Sequence, residues 1–434
     1  MADESITIKY MNDYGCFCNS CTKYCFFTYS DQINIDAKFT KILKNLRAQY
    51  FSKQGKAKRL IITCGGLLME KAKIAIIGLG DMGMGHFNGF SALKEAQVTA
   101  ICDKDQTAVD RALDTVKGSI PRQYTDYKEM LDREEFDGVV IAVPGFLHEE
   151  LAIECMKRNR NIFLEKPVAI NYQGYKRILE AKKNSKSILQ VGLVYRYSNL
   201  YRTIGKKLNE QRELGNVMMA WCKEFRQCFP QEDWFYDETK SGGTIVEKDC
   251  HHFDIFNWMI GSRPKSVFAM GGQHVYKNGQ DNLIDCSYSI KEPKIITNVS
   301  IVDHALISIE YENGAKAQLG LCMYLKPQNN SGDGLEIGFI GDNGKQLIAR
   351  RDECFGIYGG EYNDKVEYNP DIVSDNNGFG HIGCQTQRLE FIECISLNKE
   401  PVANLEKTED ALLIALAAEK SIKENRIVSI SEFK

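Results

Sequence analysis

The segment GGTIVEKDCHHFDIFNW, residues 242–258, sets one glutamate and two adjacent histidines in an otherwise apolar, aromatic run. Read as a helix, it places Glu247, His251, Asp254 and Trp258 at i, i+4, i+7 and i+11 along one face. His252 points about 100° away from that face. The two histidines therefore have different expected fates. An imidazole takes a hydroxyl proton near neutral pH, and a carboxylate one turn away fixes its tautomer and stabilises the imidazolium. His251 with Glu247 fits that acid–base pair, and His252 is expected to be structural. Other readings stand beside this one. Thr244-x-x-Glu247 is also a capping-box pattern, which would spend Glu247 on the backbone. Asp254 either binds a substrate hydroxyl or pairs with a neighbour. No metal is expected, because there is no HExxH and the spacing around Cys250 is not a zinc set.

A second candidate lies upstream. RNIFLEKPVAI is a short apolar run ending in Glu165-Lys166-Pro167. A lysine at a strand end can hydrogen-bond a reacting oxygen and stabilise negative charge developing on it.

These groups need a scaffold, and KAKIAIIGLGDMGMGH begins it. An apolar strand breaks at Gly78-x-Gly80-x-x-Gly83, a helical pattern follows, and the next strand, VTAICDKD, ends on an acid. Asp103 lies 20 residues past Gly83, the distance at which a ribose-binding acid is expected. Gly78 permits the tight turn, Gly80 lets backbone N–H groups reach a pyrophosphate, and Gly83 lets the helix pack on the strand. Asp81 and Met82, between the last two glycines, belong to the same cofactor loop. A carboxylate at position 103 accepts bonds from the ribose hydroxyls and repels a 2′-phosphate, so NAD is favoured over NADP. Lys104 partly offsets that repulsion, and NADP stays possible. Further strand–turn–helix units, through FDGVVIAVPGFLHEELAIECMKRN and SKSILQVGLVYRY, imply a parallel, doubly wound sheet. Ligands bind at the carboxyl ends of such strands, where Pro144, His148 and Lys166 stand.

Composition bounds the rest. The chain has 434 residues, 43% hydrophobic and 26% charged, with a net charge of −3, so neither nucleic acid nor an anionic membrane is an expected partner. The apolar runs are too short to span a bilayer. The fifteen cysteines are scattered, which fits free thiols in a reducing cytosol. No basic–apolar–small-residue signal pattern stands at Met1, and the expected location is cytoplasmic. Three segments are expected: 1–68, an extension outside the fold, non-native or disordered; 69–194, the dinucleotide-binding domain; and 195–434, the substrate-binding and oligomerisation domain. Within the first, Cys16, Cys18, Cys21 and Cys25 come one residue short of a bacterial iron–sulfur spacing, and no proline follows. The preferred reading of CGGLLMEKAKIAII is a translated ribosome-binding site before a start at Met69.

Taken together, GLGDMGMGH, VPGFLH, FLEKPVA and SGGTIVEKDCHHFD resemble the glucose–fructose oxidoreductase / inositol dehydrogenase / MocA family, from Met69 to Lys434. EYENGAKAQL, IGDNGK and the C-terminal segment extend the likeness. The resemblance implies a Rossmann domain followed by an α/β domain whose large, mostly antiparallel sheet carries helices on one face. It implies a homodimer or homotetramer formed through the open face of that sheet. It also implies that Lys166, Glu247 and His251 form the catalytic group, with Glu165 beside the cofactor. Gly145 departs from the family's asparagine after the turn proline. Among weaker substrate candidates, Arg196 opens the second domain, Trp234 could stack on a sugar face or lie in the core, and His381 sits in a Gly-rich loop. His274 and His304 are expected to be structural.

The reading is an NAD-linked oxidoreductase acting on a secondary hydroxyl of a sugar, inositol or related polyol. Two alternatives are a glycosidase that oxidises a sugar transiently and returns the hydride, and a non-catalytic NAD sensor. The complete Lys166/Glu247/His251 set speaks against the last.

Overall fold

The structure is a computed structural model. It describes residues 60–63, 66–116, 118–287, 289, 291–326, 335–350, 354–359, 366–368 and 383–434. His381 and the cysteines at 16, 18, 21 and 25 lie outside the described residues.

The chain divides into two units, Met1–Lys71 and Ala72–Lys434. In the first, Leu60–Thr63 pairs antiparallel with Gly66–Met69. This hairpin runs up to the boundary expected at residue 69.

The second unit begins with six strands: β1 (Ala72–Ile77), β2 (Ala96–Cys102), β3 (Arg122–Tyr124), β4 (Gly138–Ile141), β5 (Asn161–Leu164) and β6 (Leu189–Val191). Their order is β3-β2-β1-β4-β5-β6, and every neighbouring pair is parallel. That is the doubly wound Rossmann order, with the ligand crevice where the order reverses beside β1 and β4. The crossover helices are α1 (Asp81–Ser91), α2 (Gln106–Asp114), α3 (Tyr127–Arg133), α4 (His148–Lys157) and α5 (Tyr172–Lys183). Asp105, Asp126 and Asn171 cap α2, α3 and α5 through their side chains, so these starts are written locally. Both faces of the sheet are covered, and the strands accordingly read as near-continuous apolar runs: Ile74, Ile76, Val139, Val140, Ile162 and Phe163 are fully buried.

After α6 (Asn199–Gly205) the chain builds a nine-stranded mixed sheet. Its strands are β7 (Val217–Phe225), β8 (Pro264–Gly272), β9 (His304–Tyr311), β10 (Lys316–Cys322), β11 (Glu336–Gly341), β12 (Gln346–Arg350), β13 (Cys354–Tyr358), β14 (Val366–Tyr368) and β15 (Val428–Ser429). The order is β14-β13-β12-β11-β7-β10-β9-β8-β15, antiparallel throughout except β7 with β10. Strand β9 shows why the sheet has two unlike faces. Ala305, Ile307, Ile309 and Tyr311 point inward, while Leu306 and Ser308 alternate outward. The inward face receives α7 (Cys250–Ile260) and α9 (Leu405–Glu424). The outward face leaves Met219, Met270 and Leu306 about half exposed.

The linear division at residue 195 hides one crossing. Helix α8 (Cys384–Leu397), expected in the second domain, returns to the first and buries Phe391, Ile392 and Ile395 against Ile74, Phe90 and Phe163. Arg388 on α8 donates to the Gly85 carbonyl at 3.0 Å. One apolar face of the Rossmann sheet thus depends on a segment about three hundred residues downstream of β1 and α1.

Candidate active site

The dinucleotide turn forms between β1 and α1. Gly78 has φ +92°, and a Cβ on Gly83 would come within 1.9 Å of the Gly78 carbonyl oxygen, so both positions exclude a side chain. Gly80, by contrast, has open space around it and no side chain caps α1. The orphan N–H groups of the first turn are therefore open to an anion, which is what a pyrophosphate requires. Asp103 accepts the Leu79 N–H at 2.7 Å and the Asp105 N–H at 2.9 Å. Arg111 donates to the Leu79 carbonyl at 3.0 Å. The acid thus braces the loop. Burial, with help from Glu232, pushes the Asp81 carboxyl up, against the pull of Lys291 and Arg111. Met82 is exposed at the same turn.

Lys166 follows β5, and its bond to Pro167 is cis. The residues around it serve as its mount. Glu165 is buried; its Oε1 lies 2.8 Å from His86 Nε2 and its Oε2 accepts the Lys166 N–H at 3.0 Å. His148, fully buried, has Nδ1 2.7 Å from the Pro167 carbonyl and Nε2 2.9 Å from the Val143 carbonyl. Glu165 and His148, expected to face the cofactor, instead hold the loop ends that carry Pro144 and Lys166. His86 was not anticipated. It stands three residues past Gly83 in the quoted motif, but nothing local announces its partner.

The segment that carries the two histidines departs from one continuous α-helix. Residues Ile245–Asp249 form a π-helical turn that runs into α7. Thr244 does not cap it; the Thr244 hydroxyl donates to the Val302 carbonyl instead. The capping-box reading of Glu247 therefore fails. Lys166 Nζ donates to the Glu247 carboxylate through Oε1, and to the Glu247 carbonyl at 2.9 Å. Glu247 Oε2 has no hydrogen-bond partner among the described residues. The carboxylate expected to orient His251 is thus engaged with Lys166 across the domain boundary. Burial alone would pull Lys166 down, but Glu247, with Cys250 and Glu165, holds the ammonium above its ordinary value. Burial pushes the Glu247 carboxyl up, opposing the pull of Lys166. The two directions favour opposite states of the pair. An ammonium donating to both Oε1 and the backbone carbonyl of Glu247 supports the charged form.

His251 is buried, with its ring 5.0 Å from that of Tyr195 and tilted by 41°. His252 goes elsewhere, as helix geometry demands. Its Nε2 lies 3.3 Å from Glu224 and its Nδ1 lies 3.4 Å from Asp249, all fully or nearly fully buried. Lys248 completes the cluster, 3.0 Å from Glu224. Burial would lift Glu224, but Lys248 and His252 hold it well below the usual carboxylate range. Burial would lower His252, and Glu224 with Asp249 outweighs that and raises it. The Tyr195 ring is also 5.7 Å from that of His252.

The substrate candidates have mixed outcomes. Arg196 and Asp254 form a buried bidentate pair, at 2.7 and 2.8 Å, with the guanidinium 5.3 Å from the Trp258 ring. Asp254 thus takes the neighbour-pairing alternative, and Arg196 is spent on it rather than presented to a ligand. Trp234 is half-buried and stacks on Phe235, which stacks on Phe229. His274 and His304 lie together at the Asp303 turn, where Asp303 accepts the His274 N–H and bonds His304 Nδ1 at 2.8 Å.

Residues 72–193 match the model of an oxidoreductase family with an NAD-binding Rossmann fold, and residues 206–430 match that family's C-terminal α/β domain. The chain belongs to this family, that of glucose–fructose oxidoreductase, inositol dehydrogenase and MocA. It is similar to a myo-inositol 2-dehydrogenase of Thermotoga maritima, 24% identical over 375 residues, covering 83% of this chain and 99% of that one. An inositol 2-dehydrogenase/D-chiro-inositol 3-dehydrogenase of Lactiplantibacillus plantarum is 22% identical over 353 residues, covering 81% and 90%. Among solved structures, GenD2 from gentamicin A biosynthesis, in complex with NAD, superposes with a TM-score of 0.67 at 20% identity, covering 83% and 97%. The family's cofactor fits the open N-terminus of α1 and the Asp103 position, and the protein is an NAD-linked dehydrogenase. No helix among the described residues is long and apolar enough to cross a membrane.

Proposed function

We propose that this dehydrogenase oxidises a secondary hydroxyl of a sugar, inositol or related polyol. The observation that carries the reading is the Lys166–Glu247 contact, which joins the cofactor domain to the segment bearing His251. Bound NAD supplies the hydride acceptor. The N–H groups opening α1 bind its pyrophosphate, and Asp103 binds its adenosine ribose in preference to a 2′-phosphate. Lys166 has three N–H donors, of which Glu247 takes two. The third is directed to the hydroxyl under oxidation and stabilises negative charge on that oxygen as the proton leaves. His251 takes that proton on its imidazole. Glu247 keeps Lys166 charged and aimed rather than orienting the histidine. The relatives' names, inositol dehydrogenases among them, support a polyol as substrate. The exposed apolar positions Met219, Met270 and Leu306 on the open sheet face support self-association there.

The test is a panel of inositols, sugars and sugar acids with NAD, followed by NADH absorbance. Turnover of at least one polyol with stoichiometric NADH is expected. Bond cleavage of a glycoside with no net NADH would replace this reading by transient oxidation.

A further inference from the structure

We propose that Glu419 is a positioning residue for the reaction: its carboxylate, reaching from α9, grips the backbone of the turn that carries Glu247 and His251. This rests on the reading above, that Glu247 aims Lys166 at the substrate hydroxyl and His251 takes its proton.

Glu419 accepts the Ile245 N–H at 3.2 Å. Ile245 is the first residue of the π-turn, Glu247 is its third, and His251 is in the first turn of α7. No side chain of the segment caps this start, because Thr244 is turned to the Val302 carbonyl. The bond therefore comes from a helix more than 170 residues downstream. Gly243 makes room for it. At φ +97° it already favours glycine, and a Cβ there would stand 2.3 Å from Glu419 Oε1 and 2.7 Å from Glu419 Cδ. The space beside the turn is thus occupied by this carboxylate. A negative group at a helix start also suits the partial positive charge of the exposed N–H groups.

The grip has mechanical consequence because a π-turn is a poor geometry by itself. It persists only where neighbours hold it, and it relaxes readily toward the α register. Such a relaxation rotates Glu247 relative to Lys166, and misplacing a reacting group by about 1 Å costs on the order of a hundredfold in rate. The charged groups that face Glu419 are Lys423 on its own helix, Glu238 on the short helix before the turn, and Asp249 on the π-turn. Burial pushes the half-buried Glu419 carboxyl up to about 7, against the Ile245 N–H and Lys423.

The experiment compares the full-length wild type with Glu419→Ala, Glu419→Gln and Gly243→Ala. Amide hydrogen exchange is read by mass spectrometry on peptides spanning residues 243–251, alongside kcat, KM, NAD affinity and Tm. Glu419→Ala should speed exchange in that peptide by about tenfold and lower kcat by about tenfold or more, with NAD affinity within about twofold. Glu419→Gln keeps an oxygen to accept the Ile245 N–H, so it should return exchange and kcat to within about threefold of wild type. Gly243→Ala should reproduce the alanine phenotype by pushing a methyl against the carboxylate, and it carries the test if Glu419→Ala does not fold. Unchanged exchange in Glu419→Ala, or equal losses in the alanine and glutamine variants, overturns the proposal. Faster exchange in a protein whose wild type oxidises no polyol instead overturns the functional reading while leaving the grip standing.

Discussion

Glu247→Gln isolates the charge of the Lys166 contact while keeping its shape. The amide oxygen can still accept from the lysine, and no capping bond is lost because none exists at this position. What disappears is the charge on a pair that solvent hardly screens: the side chains are 20% and 4% exposed. A hydrogen bond to a charged partner is worth about 1.5–3 kcal/mol, more than a neutral one. If Lys166 must be held in place to meet the reacting oxygen, most of that difference appears in the barrier. A neutral bond is worth about 0.5–1.5 kcal/mol, so the difference is about 1–1.5 kcal/mol; at about 1.4 kcal/mol per decade, the variant should lose roughly 5- to 12-fold in kcat. The pH profile should move as well. Burial pulls Lys166 down, and Glu247, with Cys250 and Glu165, holds it above its ordinary value. Without the carboxylate the largest opposition to burial is gone and the lysine loses its proton at lower pH than in the wild type, so the alkaline limb of kcat should shift downward. The assay is steady-state NADH formation on the best polyol across the alkaline range, with NAD binding measured separately. A variant within about threefold of wild type, with an unmoved alkaline limb, would show that the contact is architectural and would refute the argument.

His251→Ala should lose at least about a hundredfold in turnover with NAD affinity intact, whereas His252→Asn should mainly lower stability. The reason for the second is that removing one member of a buried ionic cluster costs about 3–5 kcal/mol, read by denaturant unfolding; equal turnover losses in the two variants would point to a shared site. Asp103→Ala should weaken NAD and narrow its advantage over NADP, and titration of both cofactors checks this; a wild type that prefers NADP by about tenfold contradicts the ribose assignment. A chain beginning at Met69 should keep the Tm and kcat of the full-length protein, because residues 1–68 lack an apolar period able to build a core; a lower Tm, or stoichiometric iron or zinc in the full-length protein, would revive the cysteine cluster.

What the sequence determined by itself was whatever rests on short spacings. The glycine turn, the acid at the end of β2 and the alternating strand–helix order follow from local sterics and periodicity, and they suffice for the Rossmann half. The divergence of His251 and His252 was equally local, since neighbours on a helix point about 100° apart. The partners were not local. His86 meets Glu165 across 79 residues, Lys166 meets Glu247 across 81, and Arg196 meets Asp254 across 58. Each is a buried polar group that must find a counter-charge, and several candidates of similar chemistry compete for it in the sequence. Packing decides among them. The same holds for the π-turn, where propensity favours a plain α-helix and the contacts of Thr244 and Glu419 hold another geometry. Spacing thus named the residues that could do chemistry. Only the tertiary structure decided that Glu247 serves the lysine rather than the histidine, because that choice depends on which buried charge comes within reach once two domains close around them.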